Sequence, residues 1–92
     1  MKNADIVTTD VWTSMNSSSQ SDKKEKIFKD FFVSPQDMKK AKEHAIFLHC
    51  LPAHRGEEIT EDMLEDPSAK VWLQAENRMH VQEAILEFLL LD

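Results

Sequence analysis

The chain is poor in cysteine and has no long apolar run. Cys50 is the only cysteine among 92 residues, so no internal disulfide can form and a disulfide-stapled secreted scaffold is excluded. The longest apolar run, Phe88 to Leu91, is far too short to cross a bilayer, and the N-terminal segment lacks the apolar core of a signal peptide. We therefore expect a cytoplasmic protein that has no membrane partner.

Glycine is also scarce. Gly56 is the only glycine, whereas average usage gives about six in a chain of this length. Small domains of alternating strands and helices normally place glycine at helix ends and in tight turns. The shortage indicates either an unusual small domain or a part of a larger one.

Positive charge is limited as well. The chain has 17 acidic and 11 basic residues, which give a formal net charge of -6. Binding to nucleic acid requires clustered lysine and arginine, and the one basic cluster, at residues 23–29, is interleaved with acidic residues. This pattern is typical of a solvated helix face, so we do not expect nucleic acid as a partner.

Strand and helix patterns alternate along the chain. Short β-branched or apolar stretches predict strands at Ala4 to Thr9, Ala45 to His49 and Lys70 to Leu73. Helices are predicted over roughly Lys23 to Asp30, from Ser34-Pro35 onward, from Thr60 onward, and from about Ala75 to the end of the chain. The order indicates an α/β fold: a partial Rossmann-like, mostly parallel sheet of about three strands, flanked by helices and followed by a long C-terminal helix.

Polar side chains follow each predicted strand. Asp10 comes after the first, His49-Cys50 ends the second, and Arg78 lies shortly after the third. Open parallel sheets bind ligands in the crevice outside the carboxyl ends of their strands, so we expect these residues to converge there. Each also has a purely structural explanation: a buried small thiol, a turn carboxylate and a surface ion pair.

Two other chemistries, metal binding and cysteine hydrolysis, would use the histidines and Cys50. The four histidines and the cysteine show no Cys-x-x-Cys or His-x-x-x-His pair, so neither a metal site nor a cofactor is expected. A cysteine hydrolase would need Cys50 paired with a histidine base. His49 is its immediate neighbour, however, and adjacent side chains of a strand point to opposite faces, which disfavours that pairing.

Three motifs occur in order with domain-like spacing: DVWTSM (Asp10 to Met15), HCLPAHRGEE (His49 to Glu58) and AENR (Ala75 to Arg78). Together they resemble the ornithine carbamoyltransferase family, in the C-terminal portion of its ornithine-binding domain, and the resemblance covers residues 1–92. It implies transfer of a carbamoyl group from carbamoyl phosphate to the δ-amine of L-ornithine, in arginine biosynthesis.

The resemblance also implies roles for individual residues. Asp10, Ser14 and Met15 match the ornithine-binding positions. Asp10 and Cys50 match the positions that orient the substrate amine and help to deprotonate it, a role for which a carboxylate and a thiol are suitable. Cys50 in this account forms no covalent intermediate.

On the carbamoyl phosphate side, the resemblance implies that Cys50, Leu51 and Arg78 line the binding position. An arginine offers hydrogen-bond donors and a fixed positive charge to the departing phosphate. Leu51-Pro52 resembles the cis-proline turn of the family.

The chain also departs from the family pattern. Asn16 stands where the family usually has glycine, and the N-terminal carbamoyl phosphate-binding domain with its Ser-x-Arg-Thr motif is absent from these residues. We expect the isolated chain to be inactive, to expose the apolar stripe of its last helix, and to associate with itself or with another carbamoyltransferase chain. The alternative is a non-catalytic, amino-acid-binding or self-assembling remnant of a carbamoyltransferase.

Overall fold

A computed structural model describes residues 1–12 and 27–91 of the chain. In this part, two strands form a parallel sheet: β1 (Ile6–Thr9) and β2 (Ile46–His49). Their register pairs Ile6 with Ile46 at one end and Thr9 with His49 at the other. The prediction of two parallel strands in these places is confirmed.

One face of the sheet carries the core. Val7 on β1 and Phe47 on β2 lie opposite each other and are buried, whereas Thr8, the next residue of β1, is exposed. This alternation follows from the two-residue period of a strand. The remaining buried apolar residues come from the connecting segments and from the start of the last helix: Val33, Met38, Ala45, Ile59, Met63 and Val71.

The helix predicted to begin at Ser34 is present as α1 (Pro35–Met38). Ser34 Oγ accepts the N–H of Asp37, and the Asp37 carboxylate accepts the N–H of Ser34. This reciprocal pair is a capping box, and Pro35 occupies the first turn, where its missing N–H costs nothing. Beyond β2, the helix predicted from Thr60 is a single 3-10 turn, Met63–Glu65.

The prediction of a third strand at residues 70–73 is wrong. Helix α2 (Val71–Leu90) begins there, several residues earlier than the sequence predicted, and only Ala69 pairs with Phe47 of β2, as an isolated bridge. A short apolar run such as VWL fits the first turn of a helix as well as a strand. The α/β class is unchanged, with two strands in the described residues.

Helix α2 exposes most of its apolar side chains. Of its 20 residues only Val71 is buried, and Phe88 and Leu89 are 82% and 69% exposed. The predicted exposure of the apolar stripe on the last helix is therefore confirmed. Within residues 1–12 and 27–91, no helix combines the length and apolarity needed to cross a membrane.

The helix predicted over roughly Lys23 to Asp30 falls largely outside the described residues. Only its end is described, and there residues 27 and 28 are helical. Phe28 lies beside Trp12, with ring centroids 6.3 Å apart, and the Trp12 indole N–H donates to the carbonyl of Phe31 at 2.9 Å. Trp12, which follows Asp10 and Val11, is thus held against the segment that leads into α1.

Candidate functional site

The carboxyl ends of the two strands bring Asp10 and Cys50 together. Thr9 pairs with His49, so the residues that directly follow them emerge side by side at one edge of the sheet. The thiol of Cys50 donates to Asp10 Oδ1 at 3.4 Å. Both side chains are accessible to solvent, as residues that meet a ligand must be. The expected convergence of these two groups is present.

The two groups shift each other's protonation. The N–H of Val11 donates to Asp10 Oδ1 at 2.7 Å, and this bond, followed by the bond from the Cys50 thiol, lowers the pKa of Asp10. Partial burial, followed by the hydrogen bond to Asp10 and the charge of Asp10, raises the pKa of Cys50. At neutral pH the pair is therefore a carboxylate beside a neutral thiol.

Arg78 lies on the second turn of α2, near enough to Cys50 for its charge to act on the thiol. With Leu48, Gln74 and Asn77 it lines an open groove of about 370 Å³. Its positive charge acts on the Cys50 thiol in the direction opposite to that of Asp10 and favours the thiolate. Arg78 thus reaches the site from a helix that starts earlier than predicted, rather than from a position after a third strand.

His49 is turned away from the thiol and fully buried. Its Nδ1 contacts the carbonyl of Cys50 and its Nε2 contacts Glu58 Oε1 at 2.9 Å. The backbone N–H of His49 donates to Gln74 Oε1 at 3.0 Å. The neighbouring histidine is thus engaged with Glu58, and Cys50 has a raised pKa, whereas a cysteine nucleophile requires a base or a lowered pKa. The geometry does not favour the cysteine-hydrolase alternative.

The remaining predicted site residues divide into two groups. Leu51 is 40% exposed next to Cys50, and the Leu51–Pro52 peptide bond is cis, as the resemblance implied. Ser14 and Met15, together with the departure at Asn16, lie outside the described residues.

Sequence reasoning missed two residues that support the site. Glu58 is completely buried and its Oε1 accepts both from the His49 ring and from the N–H of His54, the latter at 2.7 Å. Gln74 accepts from the His49 backbone. In the sequence, Glu58 is only the last residue of the HCLPAHRGEE motif. Its spacing does not distinguish it from its neighbour Glu57, which is partly exposed.

The chain is similar to known proteins along almost its whole length. A family described as "Aspartate/ornithine carbamoyltransferase, Asp/Orn binding domain" matches residues 1–89. An ornithine carbamoyltransferase of Nitrosomonas europaea is 52% identical over 91 residues, which cover 99% of this chain and 30% of that protein. One from Paracidovorax citrulli is 50% identical over 90 residues, which cover 98% of this chain and 29% of that protein.

Solved structures give the same result. The ornithine carbamoyltransferase of Burkholderia thailandensis superimposes with a TM-score of 0.80 at 48% identity, over 98% of this chain and 27% of that one. The anabolic enzyme of Campylobacter jejuni superimposes with a TM-score of 0.86 at 40% identity, over 96% of this chain and 29% of that one. The chain spans about 30% of the length of the curated relatives that it matches.

Proposed function

This chain belongs to the aspartate/ornithine carbamoyltransferase family, with its match in the Asp/Orn-binding domain, and from that premise we propose that it supplies the ornithine side of a carbamoyltransferase site. The reaction is the transfer of a carbamoyl group from carbamoyl phosphate to the δ-amine of L-ornithine, which gives citrulline and phosphate. The observation that carries the proposal is the 3.4 Å contact between Cys50 Sγ and Asp10 Oδ1 at the carboxyl ends of β1 and β2.

The pair of Asp10 and Cys50 suits the chemistry of the substrate amine. An ammonium group has no lone pair, so the δ-amine of ornithine must lose a proton before it attacks the carbamoyl carbon. The ionised Asp10, whose pKa is lowered, accepts hydrogen bonds from the amine and orients it. The polar thiol of Cys50 lies beside Asp10 and lines the same part of the site. The amine nitrogen then forms a bond to the carbamoyl carbon, and the bond from that carbon to the phosphate oxygen breaks. The proton that the nitrogen gives up goes to the departing phosphate.

The positive charge of the proposed site is on Arg78. Arg78 lines the groove beside Leu48, and its guanidinium attracts the phosphate of carbamoyl phosphate, on which negative charge builds up as it leaves. Leu51, exposed after Cys50, lines the position of the carbamoyl group. Ser14 and Met15 are proposed to contact ornithine, on the strength of the DVWTSM motif. The proposed setting is the cytoplasm, which suits the unpaired thiol of Cys50.

A chimera tests the proposal. This chain replaces the matching segment of the Nitrosomonas europaea relative, and citrulline formation is measured. We expect activity in the chimera, a loss of about 10²-fold or more with Cys50→Ala, and no loss with His44→Ala, an exposed histidine before β2 whose ring contacts Asp5. A chimera that has the circular dichroism of the relative but forms no citrulline would overturn the proposal.

The 92-residue chain by itself is proposed to form no citrulline. It holds Asp10 and Arg78, but catalysis of this kind depends on holding two substrates together, and the chain spans about 30% of the relatives. Titration with L-ornithine in the absence of carbamoyl phosphate, and with its unreactive analogue norvaline, measures whether the ornithine side binds without turnover. Asp10→Asn should weaken the binding of L-ornithine, whose δ-amine Asp10 is proposed to orient. Turnover by the purified chain above trace rates would contradict this part of the proposal.

A second candidate is a non-catalytic, self-assembling module. The observation that favours it is the exposed apolar surface of α2, on which Val81, Ile85 and Phe88 are all at least half exposed. Apolar patches of this kind promote association, either with a second copy or with another carbamoyltransferase chain. Norvaline binding together with recovery of activity in the chimera favours the first candidate; stable self-assembly without either favours the second.

A further inference from the structure

The turn that follows the site gathers three possible metal ligands. The N–H of Glu57 donates to the carbonyl of His54 at 3.1 Å, and the N–H of Gly56 donates to the carbonyl of Ile59 at 2.8 Å. Gly56 has a φ of 84°, which glycine adopts without strain. Because the turn is tight, one ligating atom from each of His54, Glu57 and Glu58 lies within 4.8 Å of the other two.

Two atoms of this group are buried without a hydrogen-bond partner in the described part of the chain. They are Glu58 Oε2 and His54 Nδ1, which face each other at 4.0 Å. Glu58 is completely buried, and its hydrogen bonds from His49 and from the N–H of His54 go to the other oxygen, Oε1. Burying a carboxylate oxygen that has no hydrogen-bond partner is costly. A cation bound between Glu58 Oε2 and His54 would remove that cost.

We propose that His54, Glu57 and Glu58 form a binding site for a divalent transition-metal ion, with Zn²⁺ as the ion that this donor set fits. One imidazole nitrogen and two carboxylate oxygens, with a fourth position for water, are a tetrahedral zinc set. Zinc bonds of about 2.0–2.2 Å place two tetrahedral ligands about 3.4 Å apart. The Nδ1 of His54 is 3.4 Å from Glu57 Oε2 and 4.0 Å from Glu58 Oε2, so the first of these two distances already matches that spacing and the second is longer.

The donor set and the surroundings favour a transition metal over other cations. Imidazole suits zinc and its neighbours, whereas Mg²⁺ and Ca²⁺ prefer sets made of oxygen alone. The adjacent Arg55 does not compete for the carboxylates of the group. Its guanidinium makes two hydrogen bonds of 2.7 Å to Glu65 and one of 2.6 Å to the carbonyl of Glu61.

The proposed metal site is separate from the Asp10–Cys50 pair. It lies on the far side of His49, whose ring joins Glu58 to the backbone of Cys50, and the thiol is not one of its ligands. The spacing His-x-x-Glu-Glu differs from the Cys-x-x-Cys and His-x-x-x-His pairs that are typical of metal sites. The competing explanation is an imidazolium of His54 held between two carboxylates without any metal.

Isothermal titration of the metal-free chain with ZnCl₂ distinguishes the two explanations. We expect one zinc ion per chain, and His54→Gln and Glu57→Gln should each weaken binding by about tenfold or more. Both residues are partly exposed, so the variants should keep the fold, which circular dichroism verifies. The matched control is His80→Gln, because His80 also contacts a glutamate, Glu76 at 3.3 Å, but on the exposed surface of α2.

A second control separates this site from the thiol. Cys50→Ser should leave zinc affinity unchanged, and Co²⁺ substituted for zinc should give the visible absorption of a nitrogen and oxygen site without a thiolate charge-transfer band. The proposal is overturned if Cys50→Ser abolishes binding, if His80→Gln weakens it as much as His54→Gln, or if ZnCl₂ at millimolar concentration gives no saturable heat. MgCl₂ binding with equal affinity would also overturn it.

Discussion

Cys50 and Asp10 are 40 positions apart in the chain, yet the thiol of one donates to the carboxylate of the other at 3.4 Å. The contact follows from the parallel register, which pairs Thr9 with His49 and leaves the next residue of each strand at the same edge. The pair therefore gives the site a fixed negative charge and a thiol that stays neutral, and each state depends partly on the other group.

The first prediction concerns the reactivity of this thiol. Asp10→Asn removes the negative charge and weakens the hydrogen bond that contribute, after burial, to the raised pKa of Cys50. The pKa should fall towards that of an ordinary thiol, so a larger fraction is thiolate and alkylation by iodoacetamide near pH 8 should accelerate several-fold. Because Cys50 is the only cysteine, the whole signal belongs to it.

The matched control for that measurement is Asp5→Asn. Asp5 precedes the other end of β1 and contacts Lys42 and His44, so its removal changes net charge by the same amount at a distance from Cys50. If alkylation accelerated equally in the two variants, the effect of Asp10 would come from the change in net charge and not from its contact with Cys50.

A second prediction concerns the buried support behind the site. Glu58→Ala leaves the His49 ring and the N–H of His54 without their acceptor inside the core. We expect the free energy of unfolding to fall by about 3 kcal/mol. Glu57→Ala, one residue earlier and one-third exposed, should change it by about 0.5 kcal/mol or less. Urea titration followed by circular dichroism measures both, and similar losses in the two variants would contradict the assignment.

The start of α1 gives a prediction with a defined pH dependence. Contact with Lys40, followed by the hydrogen bond from Ser34, lowers the pKa of Asp37. The stabilisation is fully present above the ordinary pKa of an aspartate and is lost as the pH falls through the lowered value. Asp37→Asn should therefore cost about 1 kcal/mol near pH 7, and the difference from the parent chain should disappear in acid.

For this comparison Glu43→Gln is the control, because Glu43 is exposed and outside the capping box. Unfolding by urea is compared for all three proteins across the acid range. A cost for Asp37→Asn that stays constant with pH would mean that the charge of Asp37 contributes nothing to the cap.

The fourth prediction addresses association through α2. Phe88→Glu places a charge in the most exposed aromatic position of the helix and should weaken self-association at least about tenfold, because burying an unpaired charge in an interface is costly. Gln82→Glu adds the same charge to the same helix at another exposed position. Light scattering over a range of concentrations should show a larger effect for Phe88→Glu, and a stable monomer of the parent chain would contradict the expected association.

The sequence predicted the convergence of Asp10 and Cys50 better than it predicted the number of strands. Asp10 and Cys50 could be brought together because parallel strands share one ligand-binding edge, and two β-rich stretches identified those strands. Residues 70–73 could not be assigned in the same way, since a short apolar run fits a strand or a helix start, and the packing of Val71 into the core decides between them.

Other features depend on three-dimensional contacts that no local pattern records. Glu57 and Glu58 are adjacent and chemically identical, and only the position of Glu58 opposite the buried His49 ring distinguishes them. The role of Gln74 likewise depends on where α2 begins, because an earlier start brings this side chain to the end of β2. Helix boundaries are set by packing as much as by propensity, and the sequence shows the propensity alone.

The parallel pairing of β1 with β2 has a kinetic consequence. Residues that lie far apart in the chain must meet before Asp10 and Cys50 become neighbours, and closing such a loop is slow compared with forming a helix. Helix α2 is built from local contacts and can form first. Pulse alkylation of Cys50 during refolding would therefore time the closure of the sheet, so this chain carries its own reporter of the order in which its parts assemble.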